Sequence, residues 1–386
     1  MIGLCIHRAD RARRGVTLVE LLVVVTLLSI LLGIAATAAR TGARGKKQRE
    51  AARQVNAFIA GARTRALELG RSVGVEIVNN RPNEPQAGLT LFMVETPPPY
   101  AGDSTSSYCE MTMKPSTPGT RTATLRFSVA DNALLYDDDF VQPNDVIFLG
   151  YDNQPYRVSS VNPIASGNRS VVISWDVDQP EPLPWIDSTG AIATPYPQSP
   201  FKIYRQPQRN NVTPLQMPTG MCIDLSFSGL GTTGYGTNSS GMASQEPGGT
   251  VDTEEYPKIM FGPKGSVDAY YWQSGVNGTA INASRTLPVG NINLLIGRYE
   301  KVIAVRDAAL DLTVSANVLS LFTAPPEDGS NIADPEAMWV SINRLTGNIA
   351  TTNNAVVRDA GSLATGADAV ASARRFAKQA QNISGR

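Results

Sequence analysis

Twenty-four consecutive residues, Val16 to Ala39, carry one charge between them, on Glu20. No other feature of the chain limits its fold so sharply. About 20 apolar residues span a bilayer as a helix. A helix buried in a globular core shows an apolar stripe, whereas this run is apolar all round, which argues against a core helix. Two readings stay open: a retained membrane helix, or a cleaved secretory signal. The second has a basic leader and an A-x-A site at Ala36-Thr37-Ala38, so that the mature chain would begin at Ala39. Glu20 separates them. A carboxylate at the bilayer centre costs roughly 2.5–3.5 kcal/mol, less near the interface, and a signal sequence gains nothing from it.

Glu20 has a partner if the chain is cut after Gly15. The cut leaves a positive amine on Val16, four residues and about one helical turn from Glu20. In a bundle of such helices the carboxylate of one subunit neutralises the amine of its neighbour. At about 4 Å and an effective dielectric near 20 that attraction is roughly 4 kcal/mol before desolvation. Arg13-Arg14-Gly15, then Val16-Thr17-Leu18-Val19-Glu20-Leu21-Leu22, then an apolar run, resembles the prepilin cleavage and methylation motif of type IV pilins and type II secretion pseudopilins. The resemblance implies that a prepilin peptidase cuts between Gly15 and Val16 and that Val16 is N-methylated. Val16 departs from the phenylalanine most often found there. The basic run Arg40, Arg44, Lys46, Lys47 and Arg49 blurs the positive-inside rule, so orientation rests on the leader motif.

Charge is segregated along the chain. Residues 1–15 are basic, with Arg8, Arg11, Arg13 and Arg14 against Asp10. Residues 40–71 hold nine bases against Glu50 and Glu68. The remainder, from residue 72 onward, is acidic, 21 bases against 30 acids, a net of −9. Nucleic-acid binding needs a basic surface, so no nucleic-acid partner is expected. The single histidine, His7, lies in the leader; a chain starting at Val16 has none, which excludes histidine triads, bases and metal ligands.

Past the apolar run, Val55, Ile59, Ala62, Ala66 and Leu69 recur at helical spacing and Gly70 marks a stop. Gly33, Gly42, Gly45 and Gly61 are weak points, and a flexible basic linker between two helices is the competing reading. The stretch Ala62-Arg63-Thr64-Arg65-Ala66-Leu67 followed by Val73-Gly74-Val75-Glu76-Ile77 resembles the minor pseudopilin GspH and minor pilin FimT group. Typical members are far shorter, so some 300 residues form an enlarged or inserted body. The resemblance implies an α+β fold: a long N-terminal transmembrane helix as stem, on an enlarged, mostly antiparallel β-rich head. The boundaries expected are a leader at 1–15, a transmembrane helix at 16–39, a helical stem at 40–70, a β-rich head at 71–360 and a C-terminal helix or tail at 361–386.

Gly 33 and Pro 26 fit a β-rich, turn-rich head. Strand-like runs include Val73–Val78, Leu89–Val94, Thr122–Val129, Val146–Leu149, Ser170–Trp175, Met221–Phe227, Ile292–Ile296 and Lys301–Val305, with a hairpin at 339–351. Proline- and glycine-rich stretches at 97–99, 180–200, 229–249 and 325–335 read as loops, none long and charged enough to divide the head. Gly229-Leu230-Gly231-Thr232-Thr233-Gly234 fits G-x-G-x-x-G, but no helix opens at its third glycine, so it reads as a surface loop. Gly262–Ser266 reads as a tight turn. Asp137-Asp138-Asp139 lacks calcium-loop spacing and reads as a solvated acidic loop; no metal or cofactor is expected. Cys5 leaves with the leader. Cys109 and Cys222 either pair as a disulfide or stay as two buried thiols, and spacing does not choose between these.

Together these features lead to the expectation of a minor pseudopilin of a type II secretion-like pseudopilus, not an enzyme. It would be anchored by a single pass in the inner membrane, with its head in the periplasm. Its partners would be the prepilin peptidase/methyltransferase and other pseudopilins or pilins, met through the N-terminal helix. The alternatives are a minor type IV pilin with an adhesion or pilus-assembly role, and an exported β-rich binding protein.

Overall fold

A computed structural model describes residues 17–79, 86–113, 121–150, 154–176, 198–236, 241–243, 256–274, 282–308, 310–323, 329–357 and 363–384; within these, the side chains of residues 34–44, 112–113, 272–286 and 383–384 are left undescribed. The chain divides into two compact units, between Lys47 and Gln48. Helix α1 (Leu18–Leu69) supplies the described part of the first unit and the first element of the second.

In the second unit, α1 presents Ala51, Ala52, Val55, Ile59, Ala62 and Ala66 to a shared core, all fully buried. The small alanines of this stripe let strands approach the helix axis closely. Three strands come next: β1 (Val73–Val78), β2 (Ala87–Gly88) and β3 (Thr90–Glu95). Strand β3 folds back antiparallel on β1, with Val75 opposite Met93.

The chain then leaves this sheet for roughly a hundred residues. Strands β4 (Cys109–Met113), β5 (Thr122–Ser128), β6 (Val146–Leu149), β7 (Pro155–Val161), β8 (Asn168–Ser174), β9 (Gln198–Ser199) and β10 (Phe201–Tyr204) form an antiparallel sheet in the order β10-β6-β7-β8-β5-β4-β9. Its two edge strands are separated in sequence by Pro200 alone. They are one strand, interrupted where proline has no N–H to give the ladder, and the sheet closes on itself as a small barrel. Alternating burial along β5, β6, β8 and β10 points one side of each strand inward. The interior holds Leu125, Phe127, Ile147, Ile173, Phe201 and Ile203, a core separate from that of α1.

Strands β11 (Gln208–Arg209) and β12 (Leu215–Gln216) return to β3. Gln208 pairs with Glu95, so the barrel is inserted into the β3–β11 hairpin. Strands β13 (Met221–Leu230), β14 (Lys258–Phe261), β15 (Val267–Ser274), β16 (Asn282–Thr286) and β17 (Ile292–Arg298) complete two sheets with β18 (Met338–Ile342) and β19 (Ile349–Asn353). One has the order β11-β3-β1-β14-β15-β16, with β12 also on β3; the other is β19-β18-β17-β13-β2. Both pack against α1. The far face of the second sheet, Phe227, Leu295 and Trp339, is covered by α3 (Ser315–Thr323), α4 (Gly366–Ala373) and α5 (Arg375–Ser384).

Several expectations change. Lys301–Val305 lies in helix α2 (Tyr299–Asp307), not in a strand. Val302 and Val305 are buried three residues apart, and Lys301 reaches Asp334 at 3.0 Å, a spacing that alternation along a strand would not give. Of the helix and tail readings of 361–386, the described residues take the first, as two helices over Gly366–Ala373 and Arg375–Ser384. Thr365 and Asp368 form a reciprocal capping box at the start of α4. The glycine-rich run at 229–234 is not simply a surface loop: β13 extends to Leu230, Gly234 is buried, and the guanidinium of buried Arg374 donates to the carbonyls of Phe227, Gly231 and Gly234. Gly262–Ser266 is the tight turn of the β14–β15 hairpin. Arg63 of α1 donates to Gly265 O of this turn at 3.1 Å and to Thr346 O of the β18–β19 turn at 3.0 Å. The two turns touch there. Gly347 has φ +65, and a Cβ on it would lie 1.8 Å from Gly265 O, so only glycine fits.

Candidate functional site: the N-terminal helix

Thr17 starts the helix. Its hydroxyl accepts the N–H of Glu20 at 3.2 Å and its carbonyl accepts the N–H of Leu21 at 3.1 Å, the geometry of an N-cap. Glu20 thus sits in the first turn, where the positive end of the helix dipole favours a carboxylate. The sequence expectation assigned Glu20 an assembly role and overlooked this local one, although Thr-x-x-Glu before an apolar run is a readable capping signal. Gly15 and Val16 lie outside the described residues, so the geometry of the expected cut and its amine is not seen.

Beyond the cap, every described side chain from Leu18 to Gly33 is exposed. Twelve large apolar side chains, from Leu18 (80% exposed) to Leu32 (68%), have no cover among the described residues. The two hydroxyls of this stretch are satisfied by the helix itself. Thr26 donates to Val23 O and Ser29 to Val25 O, both at 2.8 Å. Such back-bonding suits a helix whose surroundings offer no water. Glu20 is the one ionisable group of this stretch. Among the described residues no helix is long and apolar enough to cross a membrane; the described side chains of the apolar run end at Gly33.

Residues 10–36 match the prokaryotic N-terminal methylation motif. The chain therefore has a type IV prepilin-like N-terminus on a β-rich head. The motif implies cleavage by a prepilin peptidase, N-methylation and assembly with other pilins. It belongs to structural, pilin-like subunits, not to an enzyme family, and it points to a membrane-anchored protein with an extracytoplasmic head. No curated protein and no solved structure matches the chain.

The remaining sequence candidates fall elsewhere. Cys109 and Cys222 do not pair: both are buried and free, Cys109 inside the barrel and Cys222 beside Ala87 and Val302 in another cluster. Burial raises both thiols well above their ordinary range. In the acidic triplet, Asp138 pairs with the buried Arg169 at 2.7 Å and Asp137 accepts the N–H of Asp139. The triplet balances a buried cation. Among the described residues no group of three or more His, Cys, Asp or Glu could hold a metal ion.

Proposed function

We propose that the chain is a minor pseudopilin, a structural subunit of a type II secretion-like pseudopilus. Its mature form would begin at N-methylated Val16 and hold the inner membrane by a single helix over residues 16–39, with the head in the periplasm. The observation that carries this reading is the sleeve of twelve uncovered apolar side chains around the start of α1, next to the matched motif. Lipid covers such a sleeve before assembly and neighbouring subunits cover it afterwards. Glu20 would neutralise a neighbour's Val16 amine in that bundle. The likeness of residues 62–77 to the minor pseudopilin group supports the finer assignment: Ala62 and Ala66 lie on the buried seam of α1, and Val73 and Val75 open the first strand against it.

Mass spectrometry of the N-terminal peptide tests the processing. N-methylated Val16 is expected, and a chain beginning at Ala39 would overturn the reading. Deleting the gene is expected to reduce release of secreted proteins and to leave surface pili unchanged. The opposite pattern would make it a minor type IV pilin.

A further inference from the structure

Between the inserted barrel and the sheet that receives it lies a cavity of about 760 Å³, within the size range of ligand sites. Its barrel wall breaks the pattern of the barrel. On β6, Ile147 and Leu149 point into the interior, while Val146 and Phe148 point out, and on β10 Tyr204 points out. Outward positions of a barrel in water are normally polar. These three are apolar or aromatic, and all three line the cavity. The opposite wall is formed by Met260, Ala269 and Tyr271. They alternate with Ile259, Phe261 and Tyr270, which pack on the α1 side of the sheet. The two connections into and out of the barrel, Pro97–Pro99 and Arg205–Gln206, close the remaining sides.

Charge in this apolar cleft is unbalanced. Arg71 is taken by Glu95 at 2.7 Å, and Asp268 accepts the hydroxyl of Ser72 at 2.8 Å. Arg157 stands outward on β7, exposed, and its guanidinium has no partner among the described residues. Arg205 lays its guanidinium on the Phe140 ring, 4.2 Å from the centroid, and its Nε is buried without a hydrogen-bond partner. Asp145 attracts Arg205, but its own oxygens accept the backbone N–H groups of Gln142 and Gln206. The cleft thus offers the guanidinium of Arg157, with the positive charge of Arg205 beside it, between walls that want apolar surface.

We propose that the cleft binds a short extended segment of another protein, with apolar or proline side chains and at least one carboxylate. The carboxylate takes the fork of Arg157, which matches it two bonds at a time, and the charge of Arg205 lies nearby. The apolar side chains lie against Phe148, Tyr204 and the prolines. A sugar suits the cleft less well. Its hydroxyls need acceptors as much as donors, and the carboxylate of the lining is already engaged by Ser72.

The test uses the full processed chain in a non-ionic detergent and three labelled hexapeptides of sequence Phe-Pro-X-Phe-Pro-X, with X as Glu, Gln or Lys, read by fluorescence anisotropy. The Glu peptide binds saturably, and the Gln peptide binds about tenfold more weakly, the loss expected for one charge-assisted bond. In Arg157→Glu the Glu peptide loses at least that much and the Lys peptide gains. Arg157 is exposed and has no partner among the described residues, so this variant keeps its fold, checked by circular dichroism. Equal affinity for the three peptides, no saturable binding of any, an unchanged preference in Arg157→Glu, or tighter binding of hexagalacturonate than of the Glu peptide would each overturn the proposal.

Discussion

Asp145 lies just before β6 and holds the connection by which the chain leaves the barrel, and its charge state offers a sharp physical test of the barrel junction. The residue is 2% exposed. Its carboxylate accepts the N–H of Gln142 at 2.9 Å and of Gln206 at 2.8 Å, tying a barrel loop to the exit connection. Burial pushes its pKa up from 3.8 to about 6; the two backbone N–H groups and Arg205 oppose this without cancelling it. A carboxyl whose pKa is raised by folding favours the folded state while it is protonated. That contribution is fully present below about pH 3.8 and is lost as pH rises through 6. A shift of about two units corresponds to on the order of 3 kcal/mol. Asp145→Asn removes the ionisation but keeps one acceptor for two donors, so it loses a hydrogen bond worth about 1 kcal/mol or more at every pH. The variant should therefore be less stable than the parent at pH 4 and should recover or overtake it by pH 7.5. Because Asp224, also raised to about 6, is common to both proteins, the difference between their denaturant midpoints isolates Asp145. A difference that does not change between pH 4 and pH 7.5 would refute the argument that burial dominates here.

Arg63→Ala should cost about 1–2 kcal/mol, since it removes two charge-assisted bonds from a half-buried arginine to the touching hairpin turns; thermal unfolding of the head reads it, and no shift in midpoint would mean the clamp is idle. Gly347→Ala should cost more, because the φ of +65 and the 1.8 Å approach to Gly265 O leave no room for a methyl group. Thiol titration of the denatured mature chain, without reductant, should count two free thiols, from Cys109 and Cys222, and a count of zero would restore the disulfide. Glu20→Gln should leave membrane insertion intact or improved and reduce recovery of a tagged copy in sheared filaments, while equal recovery with the parent would defeat the pairing with the Val16 amine.

The legible parts of this chain were those whose signal is local. A charge-poor run, a helical stripe of Val55, Ile59, Ala62 and Ala66, and the runs that became β1, β13 and β17 could be read residue by residue. What could not be read was set by partners far apart in sequence. Lys301–Val305 looks like a strand by its β-branched residues and is a helix, in which Lys301 meets Asp334. Cys109–Met113 has too short a pattern to stand out, yet it pairs with both β5 and β9. The closure of the barrel depends on Gln198–Ser199 and Phe201–Tyr204 meeting opposite ends of one sheet, which no alternation pattern announces. The cleft was invisible for the same reason: Val146, Phe148 and Tyr204 read as ordinary strand residues until the barrel shows them facing outward.

The distribution of apolar surface separates folding from assembly. Within the second unit, large side chains find cover in three main cores: one against α1, one inside the barrel, one under α3 to α5. The first of these cores includes the alanine stripe of α1, and the other two are filled by side chains of the head. The start of α1 is the reverse. Its apolar side chains find no cover among the described residues, its hydroxyls are turned back on the helix, and its one charge stands in the first turn. A sequence keeps so much uncovered apolar surface only where another phase or another molecule covers it. A motif for peptidase cleavage and methylation sits across that helix's start. Under the proposed processing, removing the basic leader would exchange its positive charges for a single amine that the Glu20 carboxylate of a neighbour could balance. On the reading proposed above, the cut that releases the leader would also create the charge that Glu20 would meet, so that one step would ready a membrane-held monomer to join a bundle.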